Sequence, residues 1–272
     1  MSPYKFTVWR SQKDGSIVED TTERSELKGD EVYLDVTHSG TPIYYGTASF
    51  DSGSFATGAV RKESFVWRIP DEMSSEDAAP LMCGGITVWV PLTMHGVKPS
   101  DTVGVVGMGG LGHLAIQFAK AMGCEVVVFS QTESKKEDAM KLGATTFIAT
   151  QGKKDLTSLV PRKVHHLLVT TSEVPDWDLF FPILAQAPSI YPLTATSMDA
   201  KLSLPYMPFL LKGAKVISSM PTRQSVNEML EFATRNKIRP IIEREPMSTK
   251  GIENIFDRLK QGKVRYRGVL CK

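Results

Sequence analysis

The chain has 272 residues, 42% hydrophobic and 23% charged, with a formal net charge of +2. That length holds one large domain or two, and charges of both signs are interspersed, so nothing calls for nucleic acid or an anionic membrane as partner. No apolar run is long enough to cross a bilayer and the opening Met1-Ser2-Pro3-Tyr4-Lys5 has no signal-peptide core, so a cytoplasmic protein is expected.

Residues 1 to about 70 read as β-rich. Glu31-Val32-Tyr33-Leu34-Asp35-Val36 alternates as a half-buried strand, and Phe55, Val60, Phe65-Val66-Trp67 and Ile69 punctuate a stretch rich in glycine and serine. Ser74-Ser75-Glu76-Asp77-Ala78-Ala79 carries capping residues at the start of a helix-like stretch. The cysteines Cys83, Cys124 and Cys271 lie far apart and form no C-x-x-C pair, which leaves no disulfide framework and no Cys-rich zinc lobe. Cys124 reads as a buried thiol at a strand entry, and only Cys83 merits a functional hypothesis.

The segment Val103 to Met122 organises the rest. Val103-Gly104-Val105-Val106 is a short apolar run, Gly107-Met108-Gly109-Gly110-Leu111-Gly112 is a G-x-G-x-x-G turn, and Leu111, Leu114, Ala115, Phe118, Ala119 and Met122 keep the spacing of a buried helix face. Val126-Val127-Val128-Phe129 follows at the distance expected of a βαβ unit. Gly107 permits the tight turn, Gly109 the approach of backbone to a pyrophosphate, and Gly112 the close packing of helix on strand. Gly110 and Leu111 complete the turn, and the helix start presents free N–H groups and a positive dipole end to the phosphates. The alternative is a glycine turn with no ligand.

After the second strand a chain that prefers NAD usually places a carboxylate for the ribose hydroxyl, whereas one that prefers NADP must accommodate a 2′-phosphate. Here Ser130-Gln131-Thr132-Glu133-Ser134-Lys135-Lys136 puts a hydroxyl and an amide at the strand end, then two lysines. NADP(H) is favoured, with Ser130, Gln131 and Lys135 as ligands and Glu133 as the discordant residue. The alternative for the lysines is a solvated pair opening a surface helix.

Further along, the pattern predicts a helix to Leu142 closed by Gly143, strands at 146–149 and 164–170, a helix from Asp176 to Ala187 and a strand at 190–193. It then predicts a strand at 215–218, a helix opened by the capping box Ser225-Val226-Asn227-Glu228, a strand at 238–242, a helix from Gly251 to Lys260 and a strand at 264–270. Alternation over about 95–238 indicates an α/β fold with a doubly wound parallel sheet, a Rossmann domain. Residues 1–94 and 239–272 are expected to form one discontinuous β-rich domain around it. His165 and His166, on the strand beneath the nucleotide, read as core or solvent contacts.

Ala79-Pro80-Leu81-Met82-Cys83-Gly84-Gly85-Ile86-Thr87-Val88, the glycine turn with His113-Leu114-Ala115, Lys141-Leu142-Gly143-Ala144 and Arg265-Tyr266-Arg267-Gly268-Val269-Leu270 resemble zinc-type alcohol dehydrogenases of the medium-chain superfamily, nearest their NADP-preferring cinnamyl alcohol dehydrogenase-like branch. The resemblance implies a GroES-like substrate domain beside the Rossmann domain and a homodimer joined along the Rossmann sheets. It also implies that Thr170 and Thr171 approach the nicotinamide ring, that Thr87 lies near cofactor and substrate, and that Cys83 matches the last catalytic zinc ligand. Pro42 stands where the first zinc ligand is expected, and the chain passes within a few residues to Phe50-Asp51-Ser52-Gly53, which resembles a much later part of the pattern. The segments that carry the other zinc ligands have no counterpart. One thiolate cannot hold a catalytic zinc, which needs about three protein ligands, and His38 more simply hydrogen-bonds backbone; no bound metal is expected.

Without zinc, the candidate donors are Tyr44, Tyr45, Ser49 and Thr87, with Cys83 beside them; tyrosines in such a loop also serve as packing. The first functional reading is a zinc-independent NADP(H)-dependent reductase of a small carbonyl or enone substrate. Redox-neutral cyclisation or isomerisation of a natural-product intermediate, and a catalytically dead paralogue, stand as the alternatives.

Overall fold

The computed structural model describes residues 4–12, 14–36, 38–39, 55–194, 199–218 and 220–272, with 38 and 39 as backbone only. In chain order the elements begin with β1 (Tyr4–Ser11), β2 (Ile17–Arg24), β3 (Glu31–Asp35), β4 (His38–Ser39), β5 (Gly58–Lys62), α1 (Ser75–Pro80) and α2 (Ile86–Met94). A π turn, Leu81–Gly85, joins α1 to α2. They continue with β6 (Thr102–Val106), α3 (Gly112–Ala121), β7 (Glu125–Ser130), α4 (Lys136–Lys141), β8 (Thr146–Ala149), β9 (Val164–Val169), α5 (Trp177–Phe180) and β10 (Leu184–Pro192). The last are α6 (Tyr206–Lys212), β11 (Lys215–Val216), α7 (Arg223–Arg235), β12 (Ile242–Pro246), α8 (Thr249–Lys260) and β13 (Arg267–Cys271).

The chain divides into two compact units, one of residues 1–83, 226–234 and 239–272, the other of residues 84–225 and 235–238. The second holds a six-stranded parallel sheet in the order β11-β10-β9-β6-β7-β8. Every residue of β6 is buried, as is the centre of β7, which is why these runs are continuously apolar rather than alternating. Phe129, Leu167, Ile190, Phe180 and Phe181 share one core. On α2, Trp89 packs its ring 5.6 Å from that of Phe118 on α3; residues 84–94, placed with the β-rich part on sequence, thus pack with the sheet unit.

In the first unit β1 and β2 form an antiparallel hairpin and β3 pairs with β5. β12 runs parallel to β13, and β13 pairs antiparallel with β4, so C-terminal strands join an N-terminal one. Beneath them Met247, Ile252, Ile255 and Leu270 form a core, with Phe55 edge-on to Phe256 at 5.9 Å. Among the described residues no helix is long and apolar enough to cross a membrane.

Several boundaries differ from the sequence expectation. The helix expected over 176–187 stops at Phe180: Pro182, without an N–H, falls in a 3-10 turn, and Leu184 already enters β10. A register shift between Leu184 and Ser189, with Ala187 at a φ of 50°, bulges the start of that strand. The cap of α7 is Thr222 rather than Ser225: each donates its N–H to the other's hydroxyl, at 2.8 and 3.1 Å. β12 begins at Ile242, beyond Pro240. Helix α6 was not expected, because Pro205 and Pro208 make its sequence read as loop.

Candidate dinucleotide site

The site is built where β6 gives way to α3. Gly107 has a φ of +89°, a conformation side chains rarely adopt, and a Cβ there would lie 2.5 Å from Thr171 Cγ2. At Gly112 a Cβ would lie 2.0 Å from the Gly107 carbonyl oxygen, so the helix can sit on the turn only as glycine. Gly109 is different. Its φ is not in the left-handed region and a Cβ there would meet nothing within 4 Å. Neither backbone conformation nor packing requires glycine at that position; what its absence of side chain preserves is open space over the turn.

The turn is held from several directions. Gly107 N–H donates to Phe129 O at 2.7 Å, tying it to β7. Thr170, one residue past β9, donates from its hydroxyl to Val106 O and Gly107 O, both at 2.9 Å. His113 is fully buried, and its Nδ1 lies 3.0 Å from Gly109 O; a carbonyl can only accept, so the proton is on Nδ1. Lys135, in the turn that follows β7, donates from Nζ to Met108 O at 2.8 Å. Its neighbour Lys136 pairs instead with Glu133 at 3.2 Å, which holds the discordant carboxylate in a surface ion pair. Ser130 is half-buried and Gln131 exposed, and their carbonyls accept from Thr150 and Gln151, which leaves both side chains clear of the backbone ladder.

Thr171 donates its hydroxyl to Glu173 O at 2.8 Å and lines a cavity of about 160 Å³ at the C-terminal ends of β9 and β10. That cavity, walled also by Trp177 and Thr194, is a feature that sequence reasoning missed; its parts come from three separate segments and carry no motif.

Residues 110–235 match the zinc-binding dehydrogenase family. The chain is 34% identical over 240 residues to NADP-dependent alcohol dehydrogenase 6 of Saccharomyces cerevisiae, an alignment covering 86% of this chain and 65% of that protein. It is also 34% identical over 235 residues to cinnamyl alcohol dehydrogenase 8 of Arabidopsis thaliana, covering 85% and 63%. The chain is similar to the zinc-type alcohol dehydrogenases of the medium-chain superfamily, and it spans less than two thirds of the length of these relatives. The fold agrees with that of a cinnamyl alcohol dehydrogenase from Sorghum bicolor, with a TM-score of 0.86, 21% identity and 98% of each chain covered.

Similarity to this family raises the question of zinc. Cys83 is half-buried in the π turn, and the Arg267 guanidinium, from β13, hydrogen-bonds its side chain. Burial lowers the pKa of Arg267, and Cys83 opposes that shift. A cation, rather than further donors, thus attends the one matched sulfur, and among the described residues no group of three His, Cys, Asp or Glu side chains converges. The described residues do not fit a catalytic zinc.

Thr87 lies half-buried on the first turn of α2. Tyr44, Tyr45 and Ser49 lie outside the described residues, as does Pro42. His165 and His166 serve the sheet's other end: His165 Nδ1 accepts from Thr102 N–H at 3.0 Å, and His166 bridges Asp101 and Tyr191, each at 3.2 Å.

Proposed function

We propose that this chain binds NADP(H) on the Gly107–Gly112 turn and reduces a small carbonyl or enone compound without zinc. The observation that carries the reading is the room kept at Gly109: two glycines are fixed by the fold, and the third is explained by a ligand that needs backbone contact there. Diphosphate suits the site, since the positive end of the helix dipole of the ten-residue α3 lies at the turn. A 2′-phosphate suits Lys135, a half-buried cation held beside the turn by its hydrogen bond to Met108 O. The NADP dependence printed in the name of the yeast relative supports the same choice.

NADPH, when bound, supplies a hydride to an electrophilic carbon. The chain's own part is to hold and orient: Thr170 and His113 fix carbonyls of the turn and with them its backbone conformation. The cation at Cys83 is that of Arg267, and we infer that the first unit is a shortened GroES-like substrate domain.

For a partner, we infer a second copy of this chain. β11 is the edge of the sheet, and α6 beside it exposes Tyr206, Leu210 and Leu211 at 73, 55 and 70%. An edge with unpaired backbone groups beside an apolar helix face favours pairing of like with like across a two-fold axis.

The test is calorimetric titration with NADPH and NADH, followed by assays of NADPH oxidation with cyclohex-2-enone and cinnamaldehyde. Tight NADPH binding with turnover of either compound supports the reading. Absence of affinity for both nucleotides overturns it.

A further inference from the structure

Two lysines meet at the start of β10, where Leu184 lies opposite Val164 at the start of β9; the glycine turn follows the last residue of β6, at the other end of the same sheet. Lys163, the residue before β9, donates from Nζ to Pro182 O at 2.7 Å, and Lys212, in the last turn of α6, donates from Nζ to Leu184 O at 2.7 Å. Pro182 and Leu184 are two residues apart, so at most about 7 Å of chain separates the anchors and the two ammonium groups share one neighbourhood. Among the described residues neither lysine takes part in an ion pair.

The charges around the pair do not cancel it. Arg162, beside Lys163, is engaged by Glu125 at 3.5 Å, and the Asp155 carboxylate, which the Lys163 charge reaches, accepts the N–H and the hydroxyl of Thr157 at 3.0 and 2.7 Å. Lys212 is half-buried, and burial and the Lys163 charge lower its pKa with no carboxylate opposing them. The segment that the lysines grip is itself strained: the register shifts between Leu184 and Ser189, and Ala187 has a φ of 50° although Pro188 follows it, a position that favours extended backbone. Gripping a carbonyl occupies one N–H of each ammonium and leaves two on each, and like charges held together repel unless an anion lies between them.

We propose that Lys163 and Lys212 form a binding site for a phosphate dianion, either free phosphate or the phosphoryl group of a small phosphomonoester, with one oxygen accepting from each ammonium. A dianion suits a pair of cations better than a single carboxylate does, and its tetrahedral oxygens reach donors that come from two different segments. The site lies at the opposite strand ends from the Gly107–Gly112 turn, so the proposal stands whether or not a dinucleotide binds there.

The probe is sodium phosphate, titrated at pH 7 into the full chain carrying ¹³C-labelled lysine, with ionic strength held constant by sodium chloride, in the absence and presence of saturating NADPH. The readout is the Cε resonance of Lys163 and of Lys212, each assigned by its loss in Lys163→Met or Lys212→Met. Both resonances are expected to shift together and saturably, NADPH making no difference. Either variant is expected to weaken phosphate about ten-fold, as read from the lysine that remains. Glycerol 3-phosphate in the same titration distinguishes the sources: tighter binding than phosphate gives the site to a phosphomonoester, equal or weaker binding to free phosphate. Should Lys212→Met not fold, Lys163→Met, at an exposed position, carries the comparison. The proposal is overturned if the resonances stay in place, if sodium chloride raised alone over the same range moves them as far, if NADPH abolishes the shift, which would give the phosphate to the glycine turn, or if the folded variants bind phosphate as the parent does.

Discussion

The Lys135 ammonium donates to the carbonyl oxygen of Met108 across 2.8 Å, although 27 residues separate them. The contact sets a cation at the phosphate turn without using a residue of the turn itself, and half-burial of Lys135 limits the screening of that charge. A charge-assisted hydrogen bond contributes about 1.5–3 kcal/mol, so Lys135→Met is expected to weaken NADPH roughly ten- to a hundred-fold. NADH, which lacks the 2′-phosphate, is expected to change by less than about three-fold. Titration of the variant with both nucleotides checks this; equal losses would reassign Lys135 to holding the turn.

The three glycines separate by the same logic. Gly112→Ala drives a methyl into a backbone oxygen and is expected to cost about 3 kcal/mol of stability or more, visible as a large drop in Tm. Gly109→Ala meets no atom and removes flexibility from the unfolded chain, so its stability is expected to stay within about 1 kcal/mol of the parent. Its NADPH affinity is nevertheless expected to fall more than ten-fold, because the methyl occupies the space left for the ligand. Thermal melts beside binding isotherms distinguish the two variants.

How much of this was legible in the sequence follows from range. The run from Val103 to Phe129 is local: strand, turn and helix are consecutive, so periodicity and glycine spacing gave the sheet's centre and the glycine turn. Thr170 needed the family resemblance, because its bonds to Val106 and Gly107 join residues 64 and 63 positions apart. Arg267 against Cys83 was not readable at all, since it depends on β13 packing against α1, which the π turn of Cys83 follows, and the two segments are far apart in sequence. The cavity walled by Trp177 escaped for a related reason: its walls come from three separate segments.

Cys124 sits 2% exposed, its thiol donating to the Lys98 carbonyl oxygen at 3.4 Å. Burial, aided by Asp101, pushes its pKa up to about 11. At pH 8 only about one thiol in a thousand would be ionised, and the thiolate is the reactive form. In the folded chain iodoacetamide is expected to leave Cys124 unlabelled while modifying the half-buried Cys83, and peptide mass analysis reads the pattern. Labelling of Cys124 at the rate of Cys83 would show that the entry to β7 opens in the native state.

The pH dependence of stability is expected to carry the mark of His166. Burial lowers its pKa below the ordinary 6.5, Asp101 opposes the shift through a hydrogen bond and its charge, and the neighbouring His165 and His95 reinforce it. In the unfolded chain the same imidazole titrates near 6.5. Below that value the unfolded state binds the proton that the folded state refuses, so the folded state loses ground as pH falls from about 6.5 toward the folded pKa, and this group contributes no slope above 6.5. The loss is at most about 1.4 kcal/mol for each pH unit within that window. Denaturant titrations between pH 5 and 8 are expected to show it, and His166→Gln, which keeps an amide toward Asp101 but cannot titrate, is expected to flatten the acid limb while lowering stability at pH 8. An unchanged acid limb in that variant would place the titrating group elsewhere.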